Sequence, residues 1–166
     1  MLFEIHPSGK ETVLHSFSGA DGSAPFGGLV RDENDNLYGT TRYGGSSSCQ
    51  PFGCGVVFKL RPNGTLRVLH SFNGADGAGS EGSLIRSAIG HLYGTTYAGG
   101  AVGAGVVFEL DPNGNETVLH SFGVTDGWGP YNGLVRDAAG NLYGTASNGG
   151  SGCGDMGCGL VFELSH

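Results

Sequence analysis

Apolar side chains in this chain occur in short runs bounded by Gly, Asn, Asp and Pro. The run from Leu66 to Phe72 is typical, and Pro62-Asn63-Gly64 before it has turn composition, since proline presets its φ and glycine accepts positive φ. No stretch carries apolar residues at three- and four-residue spacing over three helical turns. The pattern therefore predicts short β-strands joined by tight turns.

The same phrases recur along the chain. His-Ser-Phe stands at 15–17, 70–72 and 120–122, and Leu-Tyr-Gly-Thr stands at 37–40, 92–95 and 142–145. Val-Phe-x-Leu stands at 57–60, 107–110 and 161–164, with a related segment at 2–5. The histidines are separated by 55 and then 50 positions (70 − 15 and 120 − 70). Self-similarity at such a period is the signature of a repeat array.

One repeat is interpreted as four strands, which we label A to D. In the first full copy they are predicted at 28–32, 36–41, 55–60 and 66–72. The distance from Leu29 to Tyr38 is 9 positions, and the other two copies keep this spacing. Only the connection between strands B and C changes length, which predicts that this loop lies on the surface.

Four short antiparallel strands in about 50 residues correspond to one blade of a β-propeller. We therefore predict an all-β, β-propeller-type array of about three blades per chain; a stacked β-solenoid is the alternative. The array occupies 1–166 as a single unit: strands C and D in 1–26, blades at 27–72 and 82–122, and strands A, B and C in 132–166. Three blades are too few to close a ring. A homo-oligomer, or the remainder of a longer repeat protein, is expected to complete a ring or a filament.

The repeated phrase GLVRDxxxNLYGT…GG…GVVFxLxPNGxxxVLHSF resembles the tandem repeats called GloVer over essentially the whole chain, and its blades are similar to those of NHL and kelch propellers. The resemblance implies a bacterial repeat protein that is secreted or displayed on the cell surface, and it implies no established activity. The middle repeat departs from the phrase, with Ser87 where the others have Asp32 and Asp137.

The four cysteines form two pairs at equivalent places, Cys49 with Cys54 and Cys153 with Cys158. Each pair brackets a short glycine-rich excursion, which favours two disulfides over one shared zinc site. Disulfides favour an oxidising compartment. Met1 is followed directly by repeat material, so we expect either an intracellular protein or a mature or excised piece of a longer one.

The net charge of −7, with 8 Lys and Arg against 15 Asp and Glu, argues against a nucleic-acid partner. No apolar run approaches the roughly 20 residues of a membrane span. No sequence motif for a nucleophile, a catalytic metal or a phosphate loop is present. We predict no cofactor, although the Asp-Gly aspartates Asp21, Asp76 and Asp126 leave calcium open.

The A–B and C–D turns are short, whereas the B–C and D–A loops are long and share the other face. That face is predicted to carry any binding site. Its candidate contacts are Phe26, Arg42, Tyr43, Phe52, Glu81, Tyr97, Trp128, Tyr131, Asp155 and Met156. Aromatic faces among them, above all Tyr43, Tyr97, Trp128 and Tyr131, suit a carbohydrate or protein ligand.

Two sets of repeated residues have structural and functional interpretations. Arg31, Arg86 and Arg136 end the three A strands, where they could hold an anion or form ion pairs. His15, His70 and His120 are interpreted as packed histidines bonded to neighbouring loops.

The first functional hypothesis is an extracellular, non-catalytic module for binding or assembly. The alternatives are a propeller enzyme acting on polysaccharide, which would use paired Asp or Glu, and a structural filament subunit.

Overall fold

The computed structural model describes residues 1–45, 48–123, 125–151 and 157–165. Over these residues the chain is all-β, with thirteen strands and no helix. The strands are β1 (Leu2–Ile5), β2 (Glu11–His15), β3 (Val30–Arg31), β4 (Leu37–Thr40), β5 (Val56–Leu60), β6 (Leu66–Ser71), β7 (Ile85–Arg86), β8 (Leu92–Thr96), β9 (Val106–Leu110), β10 (Glu116–Ser121), β11 (Val135–Arg136), β12 (Leu142–Ala146) and β13 (Leu160–Leu164).

The strands form four antiparallel sheets in which sequence neighbours pair. The sheets are β1-β2, β3-β4-β5-β6, β7-β8-β9-β10 and β11-β12-β13. This arrangement confirms the prediction of an all-β, propeller-type array. The A strands β3, β7 and β11 are only two residues long, shorter than expected. In the first full repeat, for example, the backbone N–H of Gly28 turns away from β4 and donates to Ser83 Oγ in the next repeat.

Each C–D hairpin contains one extra residue in strand D. In the β5–β6 pair Val57 is opposite His70 while Phe58 is opposite Val68, so Leu69 is left unpaired. The same shift occurs in β1–β2 and in β9–β10. Such bulges bend the strand and re-aim the residues that follow them. Here the residues that follow are the His-Ser-Phe segments.

Successive sheets contact one another through pairs of phenylalanines. The Phe that follows strand D in one repeat meets the Phe of strand C in the next, with ring centroids 5.0 to 5.3 Å apart and planes inclined by 65° to 70°. These edge-to-face pairs are Phe17–Phe58, Phe72–Phe108 and Phe122–Phe162. Phe58 and Phe108 are fully buried, whereas Phe3, which is in none of these pairs, is 51% exposed.

The glycine of each Leu-Tyr-Gly-Thr segment leaves room for the strand C phenylalanine. A Cβ on Gly94 would lie 2.7 Å from Phe108 Cζ and 2.9 Å from Leu84 Cδ2. Gly39 and Gly144 make the same contacts in their own repeats. A side chain at this position would force the buried ring out of place. The glycine of this phrase is thus explained by packing between strands.

The aspartate after strand A closes the A–B turn. Asp32 Oδ1 accepts hydrogen bonds from the backbone N–H groups of Asn34 and Asn36, both at 2.9 Å. Its Oδ2 accepts from Asn36 Nδ2 at 2.8 Å and from Tyr38 Oη at 3.0 Å. Burial of Asp32 opposes its ionisation, but these hydrogen bonds outweigh burial and lower the pKa of the carboxyl to about 2.

The middle repeat, which has Ser87 at this position, anchors its tyrosine differently. Tyr93 Oη donates to Glu109 Oε1 of strand β9 at 2.9 Å, and His91 Nδ1 contacts the same oxygen. Burial, followed by the bond to Glu109, raises the pKa of Tyr93. An acid from strand C therefore replaces the aspartate that the other repeats use.

We expect Phe108→Ala to lower the free energy of unfolding by about 3–5 kcal/mol, because it removes a fully buried ring from the contact between two sheets. Phe3→Ala is the matched control at the equivalent, half-exposed position, and it should cost well under half as much. Urea unfolding followed by tryptophan fluorescence measures both. Equal losses in the two variants would contradict the role given to the interface.

We expect acid to weaken this protein partly through Asp32. Its pKa is lowered on folding from 3.8 to about 2, so its contribution is present above pH 3.8 and is lost as pH falls towards 2. The free energy of unfolding of Asp32→Asn should therefore fall less between pH 4 and pH 2 than that of the wild type. Ser87→Ala, at the equivalent position without a carboxyl group, should keep the wild-type slope.

Candidate functional site

The long loops lie together on one face of the array. Antiparallel strand order places the B–C and D–A connections at the same end of each sheet. Short backbone bridges tie the D–A loop to the B–C loop of the same repeat, at Ser23–Tyr43, Ala78–Ala98 and Trp128–Asn148. The loops are therefore held to the sheets and to each other by main-chain hydrogen bonds.

A cleft of about 220 Å³ opens on this face between the first and second full repeats. The B–C loop of the first full repeat forms one side, and the D–A and B–C loops of the second form the other. Its lining residues are Arg42, Tyr43, Cys49, Gln50, Phe52, Gly53, Ala78, Gly79, Tyr97 and Ala98. The structure thus brings together four of the candidate contacts predicted from the sequence, Arg42, Tyr43, Phe52 and Tyr97.

Aromatic and cationic side chains cluster on the first-repeat side of the cleft. The rings of Tyr43 and Phe52 lie 5.4 Å apart at 45°, and the Arg42 guanidinium lies 5.1 Å from the centre of the Tyr43 ring. Phe52 is 66% exposed. Arg42 Nε lies 3.3 Å from Glu81 Oε1, an ion pair by distance without the geometry of a hydrogen bond. The cleft therefore offers flat apolar faces next to a largely neutralised charge.

Tyr97 extends this surface towards the third repeat. Its ring stacks on that of Tyr131, with centroids 4.6 Å apart and planes inclined by only 24°. The hydrogen bond with Tyr97, followed by burial, raises the pKa of Tyr131. Tyr131 is 38% exposed, so its phenol remains accessible as a neutral hydrogen-bonding group.

Equivalent positions on this face carry different pairs at successive junctions. Arg42 and Tyr97 follow strand B in their repeats, and Glu81 and Tyr131 occupy the same place in the D–A loop of the repeat that comes next. The first junction is an ion pair and the second is an aromatic stack. The phenylalanine contacts beneath are the same at every junction. The side chains that differ between these two junctions therefore lie on the long-loop face.

A disulfide shapes the wall of the cleft. Cys49 and Cys54 are bonded, which confirms the first predicted pair, and Cys54 is 1% exposed. The carbonyl of Cys54 accepts a hydrogen bond from the N–H of Gly79 in the next repeat at 2.9 Å. The second predicted pair involves Cys153, which lies outside the described residues, as do the candidate contacts Asp155 and Met156.

Sequence reasoning did not identify the small residues of the cleft. Gly53, Ala78 and Gly79 line it, and a Cβ on Gly53 would lie 2.4 Å from the carbonyl oxygen of Gly44 in the same B–C loop. The double-glycine step that begins each B–C loop was a usable signal, because it marks close backbone packing.

Trp128 is placed apart from this cleft. It is half-buried, and its backbone pairs with Asn148 in the third repeat. Trp128 does not line the cleft. Its predicted role in ligand binding remains a prediction.

The three arginines each engage a different group. Arg31 pairs with Asp35 at 2.9 Å, Arg86 with Glu33 of the preceding repeat at 3.1 Å, and the Arg136 guanidinium lies 5.8 Å from the centre of the Tyr93 ring. Arg86 and Arg136 both line a shallow groove of about 360 Å³ beside the short A–B turns. An anion site there remains a prediction.

Each His-Ser-Phe histidine meets the aspartate six positions later. The Nε2 to Oδ2 distances are 2.7 Å for His15–Asp21, 3.2 Å for His70–Asp76 and 2.7 Å for His120–Asp126. The same histidines lie edge-on to Phe17, Phe72 and Phe122. These contacts fit the interpretation as packed histidines bonded to a loop. The prediction of no cofactor, with calcium left open at these aspartates, is untested.

Within the described part of the chain, no helix is long and apolar enough to cross a membrane.

The comparisons with known proteins address the fold and the family. No curated protein matches the chain. One solved structure that is similar to this chain is the X-ray structure of a protein provisionally assigned as a gluconolactonase. The two share a TM-score of 0.52 and 20% sequence identity, and the match covers 95% of this chain. This chain spans 54% of the length of that protein. At this identity the likeness shows the propeller-type fold alone.

The model of the family described as the Gloeobacter/Verrucomicrobia repeat matches residues 1–166. This match confirms the resemblance found in the repeated phrase. The chain belongs to the Gloeobacter/Verrucomicrobia repeat family.

Proposed function

We propose that this chain is a non-catalytic binding module of an extracellular repeat array, and that the cleft between its first two full repeats takes part of a carbohydrate chain. The observation that carries the proposal is the aromatic lining of the cleft. Tyr43, Phe52 and Tyr97 present ring faces or edges within one depression on a rigid scaffold. Flat apolar faces ringed by hydrogen-bonding groups match the two-sided character of a sugar ring.

The size of the cleft favours a glycan over a protein partner. A stable protein interface buries about 800 Å² on each partner, over a broad surface. A depression of about 220 Å³ suits a small ligand, or one or two units of a longer polymer. The net charge of −7 disfavours a strongly anionic polymer, so a neutral polysaccharide is the ligand class that we propose.

The disulfide supports the proposed extracellular compartment. Cys49–Cys54 joins a surface loop, and structural disulfides persist in oxidising surroundings outside the cytosol. This supports secretion or display on the cell surface, where polysaccharides are available as ligands.

We favour binding without cleavage for this cleft. Glycoside hydrolysis needs two carboxyl groups flanking the scissile bond. Of the described residues that line the cleft, none is Asp or Glu, and Glu81 beside it is engaged with Arg42. The enzyme assignment of the similar structure belongs to that protein.

We expect the protein to be retarded in native gels that contain a neutral polysaccharide, tested with xyloglucan, mixed-linkage β-glucan and galactomannan. Phe52→Ala, at an exposed ring, should weaken the affinity by about 3- to 10-fold, and Tyr97→Ala should weaken it at least as much. Ile89→Ala, 76% exposed on the opposite turns, is the control and should bind as the wild type does. Failure of all three polysaccharides to retard the wild type would refute the proposal.

Assembly with further repeats is a second candidate function, favoured by the apolar surface on the first and last sheets. Phe3 is 51% exposed, Ile5 57% and Val161 77%. The strands that carry them, β1 and β13, are edge strands with unpaired backbone groups. Such edges suit pairing with repeats of another chain or of a longer protein.

We expect sedimentation equilibrium at micromolar concentration to give a mass above that of the 16.9 kDa chain. Val161→Lys should lower the average mass, because a lysine on an edge strand opposes pairing. Ile89→Lys, at a 76% exposed position in a turn outside every strand, is the control and should leave the mass distribution unchanged. A purely monomeric wild type would contradict self-assembly and leave the glycan proposal intact.

A further inference from the structure

Three side chains with metal-binding atoms converge at the junction between the first and second full repeats. His70 lies near the end of β6, Asp76 lies in the D–A loop that follows, and Glu116 begins β10 in the next repeat. One ligand-type atom from each lies within 4.8 Å of the other two. Among the described residues, this is the one such group of three. None of the three residues lines the loop-face cleft.

One carboxylate oxygen of Glu116 is buried without a partner. Glu116 Oε1 is shielded from solvent and has no hydrogen-bond partner. Burying a carboxylate without a partner is costly, and the neighbouring charge of Asp76 adds repulsion. Burial, followed by Asp76, raises the pKa of Glu116 to about 7. A cation between the two carboxyl groups would relieve both effects.

The other two side chains hold their ligand-type atoms close together. His70 Nε2 lies 3.2 Å from Asp76 Oδ2. Asp76 is in turn fixed by Asn73, whose backbone N–H donates to Oδ1 at 2.9 Å and whose Nδ2 donates to Oδ2 at 2.7 Å. His70 and Asp76 are mostly buried, with side chains 18% and 15% exposed. Hydrogen bonds that orient a ligand carboxylate are a common feature of metal sites.

We propose that His70, Asp76 and Glu116 bind a divalent cation of the zinc type that links the two repeats. The donor set decides the class of ion. One imidazole nitrogen with two carboxylate oxygens suits Zn²⁺, whereas Ca²⁺ and Mg²⁺ prefer all-oxygen sets. Ligands on one zinc ion lie about 3.4 Å apart, given metal–ligand distances of about 2.1 Å in a tetrahedron. The ligand-type atoms now lie within 4.8 Å of one another, so the side chains would move by about 1 Å to hold one zinc ion.

Glu116 distinguishes this junction from the preceding one, which lies between the β1-β2 sheet and the first full repeat. His15 and Asp21 form the same pair in the preceding repeat, but the position equivalent to Glu116 in the repeat that follows them is Leu66. A leucine cannot bind a metal. Glu11 is the other glutamate at this repeat position, in β2, and among the described residues it belongs to no such group of three. The chain therefore contains its own matched controls.

The test uses protein purified without reductant, so that the disulfide stays closed, and then stripped with EDTA. Thermal unfolding is followed by circular dichroism with and without Zn²⁺. Free Zn²⁺ at about a hundred times its Kd should raise the Tm of the wild type by about 5–10 °C. Glu116→Leu, which copies Leu66, should abolish the shift, and Glu11→Leu should keep it. Isothermal titration should give one Zn²⁺ per chain in the wild type and none in Glu116→Leu.

A wild type whose Tm does not respond to Zn²⁺ would overturn the proposal. An equal shift in Glu116→Leu would also overturn it, since the ion would then bind elsewhere. If Glu116→Leu fails to fold, Glu116→Gln keeps the shape and removes the charge, and the same two outcomes apply. Neither readout involves polysaccharide, so the result is independent of the proposed function.

Discussion

The edge-to-face contact between phenylalanines of successive repeats is the interaction on which this structure depends. A sheet of two to four short strands cannot bury its apolar side chains by itself, and it becomes stable when neighbours cover both faces. Phe58 and Phe108 are fully buried because a repeat lies on each side of them, while the equivalent Phe3 remains half-exposed. The same contact explains why a glycine must face the ring at position 94.

The two ends of each sheet differ in structure. At the short-turn end, hydrogen-bond networks such as that of Asp32 close the A–B turns, and the middle repeat anchors its tyrosine on Glu109 instead. At the long-loop end, backbone bridges hold the loops while the side chains differ from repeat to repeat. An ion pair at Arg42–Glu81 and a stack at Tyr97–Tyr131 occupy equivalent junctions. A uniform scaffold thus presents a non-uniform surface, as expected of a binding module.

Much of the fold could be predicted from the sequence because its causes are local. Strands B, C and D follow from short apolar runs, and the turns between them follow from Asn, Gly and Pro. The A strands were overestimated, since Gly28 bonds to Ser83 in another repeat and the sequence pattern cannot register such a contact. The bulge at Leu69 was not predicted either, because an unpaired residue becomes visible only when both strands are aligned.

By itself the sequence determined the repeat, the strand order, the loops that tolerate change and the pairing of Cys49 with Cys54. Only the tertiary structure decided which loops meet. The cleft joins Tyr43 to Tyr97, and the proposed cation site joins Asp76 to Glu116, 40 positions further on (116 − 76). Short-range patterns reflect backbone preferences within one repeat. Sites between repeats depend on how one sheet is rotated against the next, and packed side chains from both sheets set that angle together.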